Sequence, residues 1–177
     1  KGLVLTSASG AQDVNLSPPS GTGISIQDGP DNVVVSNLTI IGNELVGSGI
    51  TVSPGASNIH LSLNSISNIL LPGGGNSSPL SYGILVWGDS DPVNPPTGIN
   101  IENNSISNVL GSAISLGSNT VDVTIAGNVF SNIVPVDFGG TPLAIGIQAE
   151  LCAGLEISSN EYNDLLQATS LVNCSGV

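Results

Sequence analysis

The sequence predicts an all-β fold, a single-domain parallel β-helix of about six to seven coils with asparagine ladders at its turns, spanning residues 1–177. Three observations lead there: a short phrase recurs along the chain, its columns are by turns apolar and asparagine, and the composition leaves little to build helices with. Glycine contributes 23 residues, aromatic side chains only five, and Lys, Arg and Met together one. Such a chain favours short strands and turns.

The repeat is visible when "NIHLSLNSISNIL" from Asn58, "GINIENNSISNVL" from Gly98, "DVTIAGNVFSNIV" from Asp122 and "GLEISSNEYNDLL" from Gly154 are aligned. Ile59, Ile99, Val123 and Leu155 form one apolar column, and Leu61, Ile101, Ile125 and Ile157 a second. Asn64, Asn104, Asn128 and Asn160 follow; then come Ile66, Ile106, Phe130 and Tyr162, and finally Asn68, Asn108, Asn132 and Asp164. An earlier copy from Asn32, "NVVVSNLTIIG", keeps the apolar columns and puts Leu38 in the first asparagine position.

Each copy follows a second strand-like phrase: "GISIQ" at Gly23, "GITVS" at Gly49, "GILVW" at Gly83, "AISLG" at Ala113 and "IGIQA" at Ile145. These alternate apolar with polar residues, the period-two signature of a strand with one buried face. "GLVLT" at Gly2 and "TSLVN" at Thr169 read as incomplete copies. The shortest repeat, Ile99 to Val123, is 24 residues, room for three short strands and three turns, which is one coil of a solenoid. Stacked coils bring equivalent positions to about 4.8 Å, so turn asparagines can hydrogen-bond from coil to coil. Asparagine also tolerates the left-handed backbone that tight turns demand. The asparagines are therefore read as scaffold and not as catalysts.

These phrases, "NVVVSNLTI" above all, resemble the right-handed parallel β-helix repeat of the pectin-lyase-like superfamily. The resemblance covers the chain from Gly2 to about Cys174 and implies the right-handed sense of the coil. For activity it implies little, since that superfamily holds enzymes and passive scaffolds alike. Its lyases abstract a proton with a basic residue, often Arg, beside calcium; this chain has no Arg and a single Lys, Lys1. The aspartate cluster, His phrase and Arg-Ile-Lys phrase of its polygalacturonases are missing as well. A lyase mechanism is disfavoured, and no catalytic residue is assigned.

Charge narrows the partners further. Thirteen carboxylates against one basic residue give a net charge of -12, which excludes nucleic acid, because displacing phosphate counterions needs Lys and Arg. Charged residues make up 8% of the chain where roughly 25% is usual, so the surface is one of hydroxyls and amides. No apolar run reaches transmembrane length and no signal peptide is seen, so an exported protein would be present as a mature or trimmed chain. Scarce trypsin sites suit an extracellular or cell-surface location.

Interruptions of the repeat are where function usually sits. Inserted loops are expected at 71–81, 88–98 and 134–143, the first and third emerging along one edge. In "GILVW" the inward columns take Ile84 and Val86, so Leu85 and Trp87 should face outward. Trp87, with Asp89 and Asp91, forms a candidate carbohydrate platform, weighed against simple packing under the neighbouring loop. Asp89 and Asp91 also supply two oxygen ligands for calcium, where a full site needs roughly six to eight; no cofactor or metal is assigned. His60 reads as an exposed strand residue, and Glu102 and Glu156, expected in one column two coils apart, as solvated side chains. Cys152 and Cys174 are expected to form a disulfide, with two buried free thiols as the alternative. Sequons at Asn15, Asn37, Asn76, Asn103 and Asn173 permit glycosylation.

No capping helix is evident at either end, which predicts pairing with other chains or a fragment of a longer solenoid. The functional expectation is a structural subunit outside the cell, non-catalytic and self-associating into a filament or layer, its partner being copies of itself. The alternative is a carbohydrate-binding or glycan-cleaving module for a neutral polysaccharide, or a segment of an adhesin or phage fibre. Membrane insertion is not expected.

Overall fold

The computed structural model describes residues 2–7, 14–27, 29–71, 80–88, 94–138 and 140–176. None of them is helical. The chain winds past three sheets in turn, with β11 serving the second and the third together, and each coil brings it back to the first sheet. The first sheet holds β1 (Leu3–Thr6), β4 (Asp31–Ser36), β7 (Ser57–Ser62), β10 (Thr97–Glu102), β12 (Val121–Ala126) and β17 (Ala153–Ser158). The second holds β2 (Asn15–Leu16), β5 (Thr39–Ile41), β8 (Ser65–Ile69), the first half of β11 (Ser105–Leu116), β13 (Val129–Val134) and β18 (Glu161–Asn163). The third holds β3 (Gly21–Ile26), β6 (Val46–Val52), β9 (Ser81–Val86), the second half of β11, β16 (Ile145–Glu150) and β19 (Gln167–Val172). All pairings within these sheets are parallel, so the chain is a β-solenoid of six coils.

In the first sheet the register is the alignment read from the sequence: Val33, Ile59, Ile99, Val123 and Leu155 stack in one column. Ile40, Ile66, Ile106, Phe130 and Tyr162 stack in the second sheet, and Ile24, Ile50, Ile84, Ile114 and Ile147 in the third. Nearly all of these side chains are buried in one continuous core. β-Branched residues dominate because their stiff side chains fit a pleated surface at fixed rotamers. The widest side chains close one end of the core, where the Phe130 and Tyr162 rings tilt together with centroids 5.3 Å apart.

The corner between first and second sheets carries the inner asparagine ladder. Asn64 Nδ2 donates to Asn104 Oδ1, Asn104 Nδ2 to Asn128 Oδ1 and Asn128 Nδ2 to Asn160 Oδ1, each at 3.0 Å. Each of those oxygens also accepts the backbone N–H of the preceding rung. The second amide hydrogen reaches a carbonyl of the preceding strands: Val35, Leu61, Ile101 and Ile125. Three fully buried amides are thereby satisfied. The left-handed residues at this corner are the ones just before the rungs: Asn37, Leu63, Asn103, Gly127 and Ser159. At the outer ladder, Asn68, Asn108, Asn132 and Asp164, the rungs themselves have positive φ, with Asn108 donating to Asn68 and Asn132 to Asn108.

Two of the three interruptions leave the corner between the second and third sheets, as their common place in the repeat requires. In the later one, β14 (Val136–Phe138) and β15 (Thr141–Leu143) pair as an antiparallel hairpin. Of the other two loops, residues 72–79 and 89–93 lie outside the described residues. Between these insertions β11 runs through the corner without a break.

Replacing Asn104 by Ala would remove the acceptor of the Asn64 backbone N–H and of one Asn64 amide hydrogen, take the side-chain donor from Leu61 O, and leave Asn128 Oδ1 with only the Asn104 backbone N–H. Urea unfolding should show a loss of about 2–4 kcal/mol for Asn104→Ala, while the exposed Asn132→Ala costs less than about 1 kcal/mol.

Candidate functional site

A depression lies on the outer face of the third sheet, a trough of about 630 Å³. Its floor follows from the register. Ser25, Thr51, Leu85 and Ser115 form one outward column. Gln27, Ser53, Trp87 and Gly117 extend the next one, since Trp87 N–H donates to Val52 O and Gly117 N–H to Val86 O, both at 2.8 Å. Tyr82 stands in a third column, between Ser48 and Ser112. Leu71 and Leu80 wall the trough where the first inserted loop leaves the coil, and Ser81 Oγ ties that corner by donating to Leu71 O at 2.8 Å.

Trp87 is 46% exposed and lines the trough, as its outward phase in "GILVW" requires. Leu85 also faces outward yet is only 9% exposed, because it forms the trough floor between two aromatic side chains. Among the described residues, none that lines the trough carries a charge. The chemistry on offer is hydrogen bonding by hydroxyls and amides, together with stacking on apolar ring faces. Asp89 and Asp91 lie outside the described residues, as does the sequon Asn76. Among the other sequons, Asn15, Asn103 and Asn173 are exposed and Asn37 is half-buried.

Sequence reasoning missed Tyr82 and the hydroxyl column. The column is written in the strand-like phrases, whose third letters read Ser25, Thr51, Leu85 and Ser115 when aligned from the glycine or alanine, whereas Tyr82 stands one residue before "GILVW" and outside them.

On the outer face of the first sheet, His60 Nε2 lies 3.5 Å from Glu102 Oε2. The pair meets diagonally, because His60 stands opposite Asn100 and Glu102 opposite Ser62. Both side chains are partly exposed, so the contact is worth little. Glu102 and Glu156 do not share a column as expected: Glu156 stacks on Thr124 and Asn100, whereas Glu102 stacks on Ala126. Glu156 sits between the inward Leu155 and Ile157, while Glu102 follows Ile101, which sets the two carboxylates in different columns. Among the described residues no three His, Cys, Asp or Glu side chains gather as a metal would require.

The expected Cys152–Cys174 disulfide is absent; both thiols are free. Their backbones are stacked, with Ser175 N–H donating to Cys152 O at 2.9 Å. Each sulfur is turned instead onto the carbonyl two residues earlier, Cys152 toward Glu150 O at 3.4 Å and Cys174 toward Val172 O at 3.6 Å. Cys152 Sγ also lies 2.8 Å from Thr120 Oγ1. Burial pushes the Cys152 thiol up from 9.0 to about 11, with the neighbouring Cys174 thiol adding to the rise.

Compared with family models, with curated proteins and with solved structures, the chain matches none.

A thiol with a raised folded-state pKa stays neutral below its unfolded value, and its stabilising share is lost as pH climbs through the folded value. Iodoacetamide should accordingly modify Cys152 slowly at pH 8 to 9 and quickly only toward pH 11 or on unfolding, read by mass spectrometry at stepped pH.

Proposed function

We propose that this protein is an extracellular or cell-surface β-solenoid that binds a neutral polysaccharide without cleaving it. The single observation that carries the reading is the uncharged trough, in which Trp87 and Tyr82 stand above ladders of hydroxyls. Pyranose rings present apolar C–H faces and polar hydroxyl rims. A surface offering flat aromatic area beside hydroxyls and amides meets both needs at once. Acidic sugars are disfavoured by the net charge of -12, which repels a polyanion. Hydrolysis needs two carboxylates flanking the bond, and none stands among the described residues that line the trough. The likeness to the right-handed pectin-lyase-like repeat belongs to the same proposal: a solenoid of that kind offers an extended face to a long polymer.

A second reading, the self-associating structural subunit, is favoured by the edges. Among the described residues β1 pairs with β4 alone, and its Leu3 and Val4 are exposed. An unpaired strand edge with apolar side chains accepts a further parallel strand, whichever chain supplies it. Electron microscopy across a concentration series tests it: ordered filaments or layers support assembly, whereas discrete rods at every concentration overturn it.

Trp87 is the only tryptophan, so its fluorescence reports the trough directly. Titration with soluble neutral polysaccharides should shift its emission, and Trp87→Ala should weaken retention on the same polymers in affinity electrophoresis by about tenfold, with unfolding unchanged. Unchanged emission across the panel, or full retention of the variant, would overturn the glycan reading.

A further inference from the structure

The glycan reading leaves open which way a chain lies in the trough, and the placement of the aromatic residues decides it. Both trough aromatics come from one coil, Tyr82 on β9 and Trp87 at its end. Their columns hold no other ring: Tyr82 is flanked by Ser48 and Ser112, and Trp87 by Ser53 and Gly117. A polymer running along the solenoid axis would therefore meet one ring and no second. A polymer running along β9 meets both.

Resting on the glycan reading, we infer that the ligand is a linear neutral oligosaccharide laid along β9, across the solenoid axis, stacked at one end on Trp87 and at the other on Tyr82. Five residues separate the two, at most about 16 Å and so the reach of up to about three pyranose units; Gly83 and Ile84 both face the core, and the bend this makes brings Tyr82 onto the same face as Leu85 and Trp87. Under the middle unit lies Leu85, an apolar floor of the right kind for a C–H face. Thr51 and Ser115 stand one strand spacing, about 4.8 Å, to either side, placed for hydroxyls on the two rims. Leu71 and Leu80 close the Tyr82 end. Such a footprint selects an extended ribbon with equatorial linkages, since a helical glucan would lift its middle unit off Leu85.

An axial path makes a different demand. It would carry the ligand past Ser115 onto Gln148, the next member of the same outward column. Gln148 Oε1 is the one buried side-chain polar atom without a hydrogen-bond partner among the described residues. Gln148 therefore discriminates between the two orientations.

Isothermal titration with β-1,4-linked glucose, xylose and mannose oligomers, from dimer to hexamer, tests the inference on wild type, Tyr82→Ala, Trp87→Ala and Gln148→Ala. Affinity for the binding series should rise about tenfold from dimer to trimer and stay within about twofold from trimer to hexamer. Tyr82→Ala and Trp87→Ala should each erase the gain from dimer to trimer, and Gln148→Ala should leave it intact. The wild-type length series stands by itself if a variant fails to fold. Affinity that climbs through the hexamer and falls in Gln148→Ala would overturn the cross-axis path and leave the glycan reading in place. Absence of binding by every oligomer, together with unchanged Trp87 emission on every polysaccharide, would overturn both.

Discussion

One constraint governs this molecule: a buried amide at the corner of each coil must find its hydrogen bonds in the coils beside it. Burying an unpaired amide is costly, and the ladder removes that cost only when Asn64, Asn104, Asn128 and Asn160 stand in strict register. A slip of one residue would empty every rung and turn each strand's apolar face outward. The ladder thus selects one stacking among many that the apolar columns alone would tolerate. In the first coils the same column holds Leu38, which gives only its backbone N–H to Asn64, so the first rung rests on an apolar neighbour.

The fold was legible because its signal is repeated. Each apolar column is written several times, and the errors of any single strand assignment average out over the copies. What was not legible depended on single events. The two roles of asparagine look alike in the sequence, yet the inner ladder uses the side chain while its left-handed residue comes one position earlier, and at Leu63 that residue has no conformational preference to announce it. The cysteines stack at the backbone, and each sulfur meets a carbonyl two residues earlier without closing a disulfide. The trough was half legible. Trp87 drew notice as the sole tryptophan, whereas Tyr82 and the hydroxyl columns draw meaning only from one another once coils are stacked.

The near absence of charge shapes both the surface and what it can bind. With hydroxyls and amides in place of most ions and a single basic residue, an outer face gains little from salt bridges, and its long-range field serves only to repel anions. Recognition must come from shape, desolvation of ring faces and short-range hydrogen bonds. These act only on a partner already lying in place, which suits polymers that present many equivalent segments. The His60 and Glu102 contact on the first sheet's outer face is exposed on both sides and tunes little.

The strand pairings of all three sheets run parallel to the solenoid axis, while the covalent backbone circles around it. This makes the body mechanically anisotropic. Tension along the axis falls on hydrogen bonds that face it head-on, and these can give way at a single coil boundary before the next, as a zipper opens. Tension across the axis is carried by the peptide chain itself and by all coils together. A solenoid fixed lengthwise would be the weak member of a load-bearing surface, and the same solenoid lying flat, gripped along β9, would be the strong one.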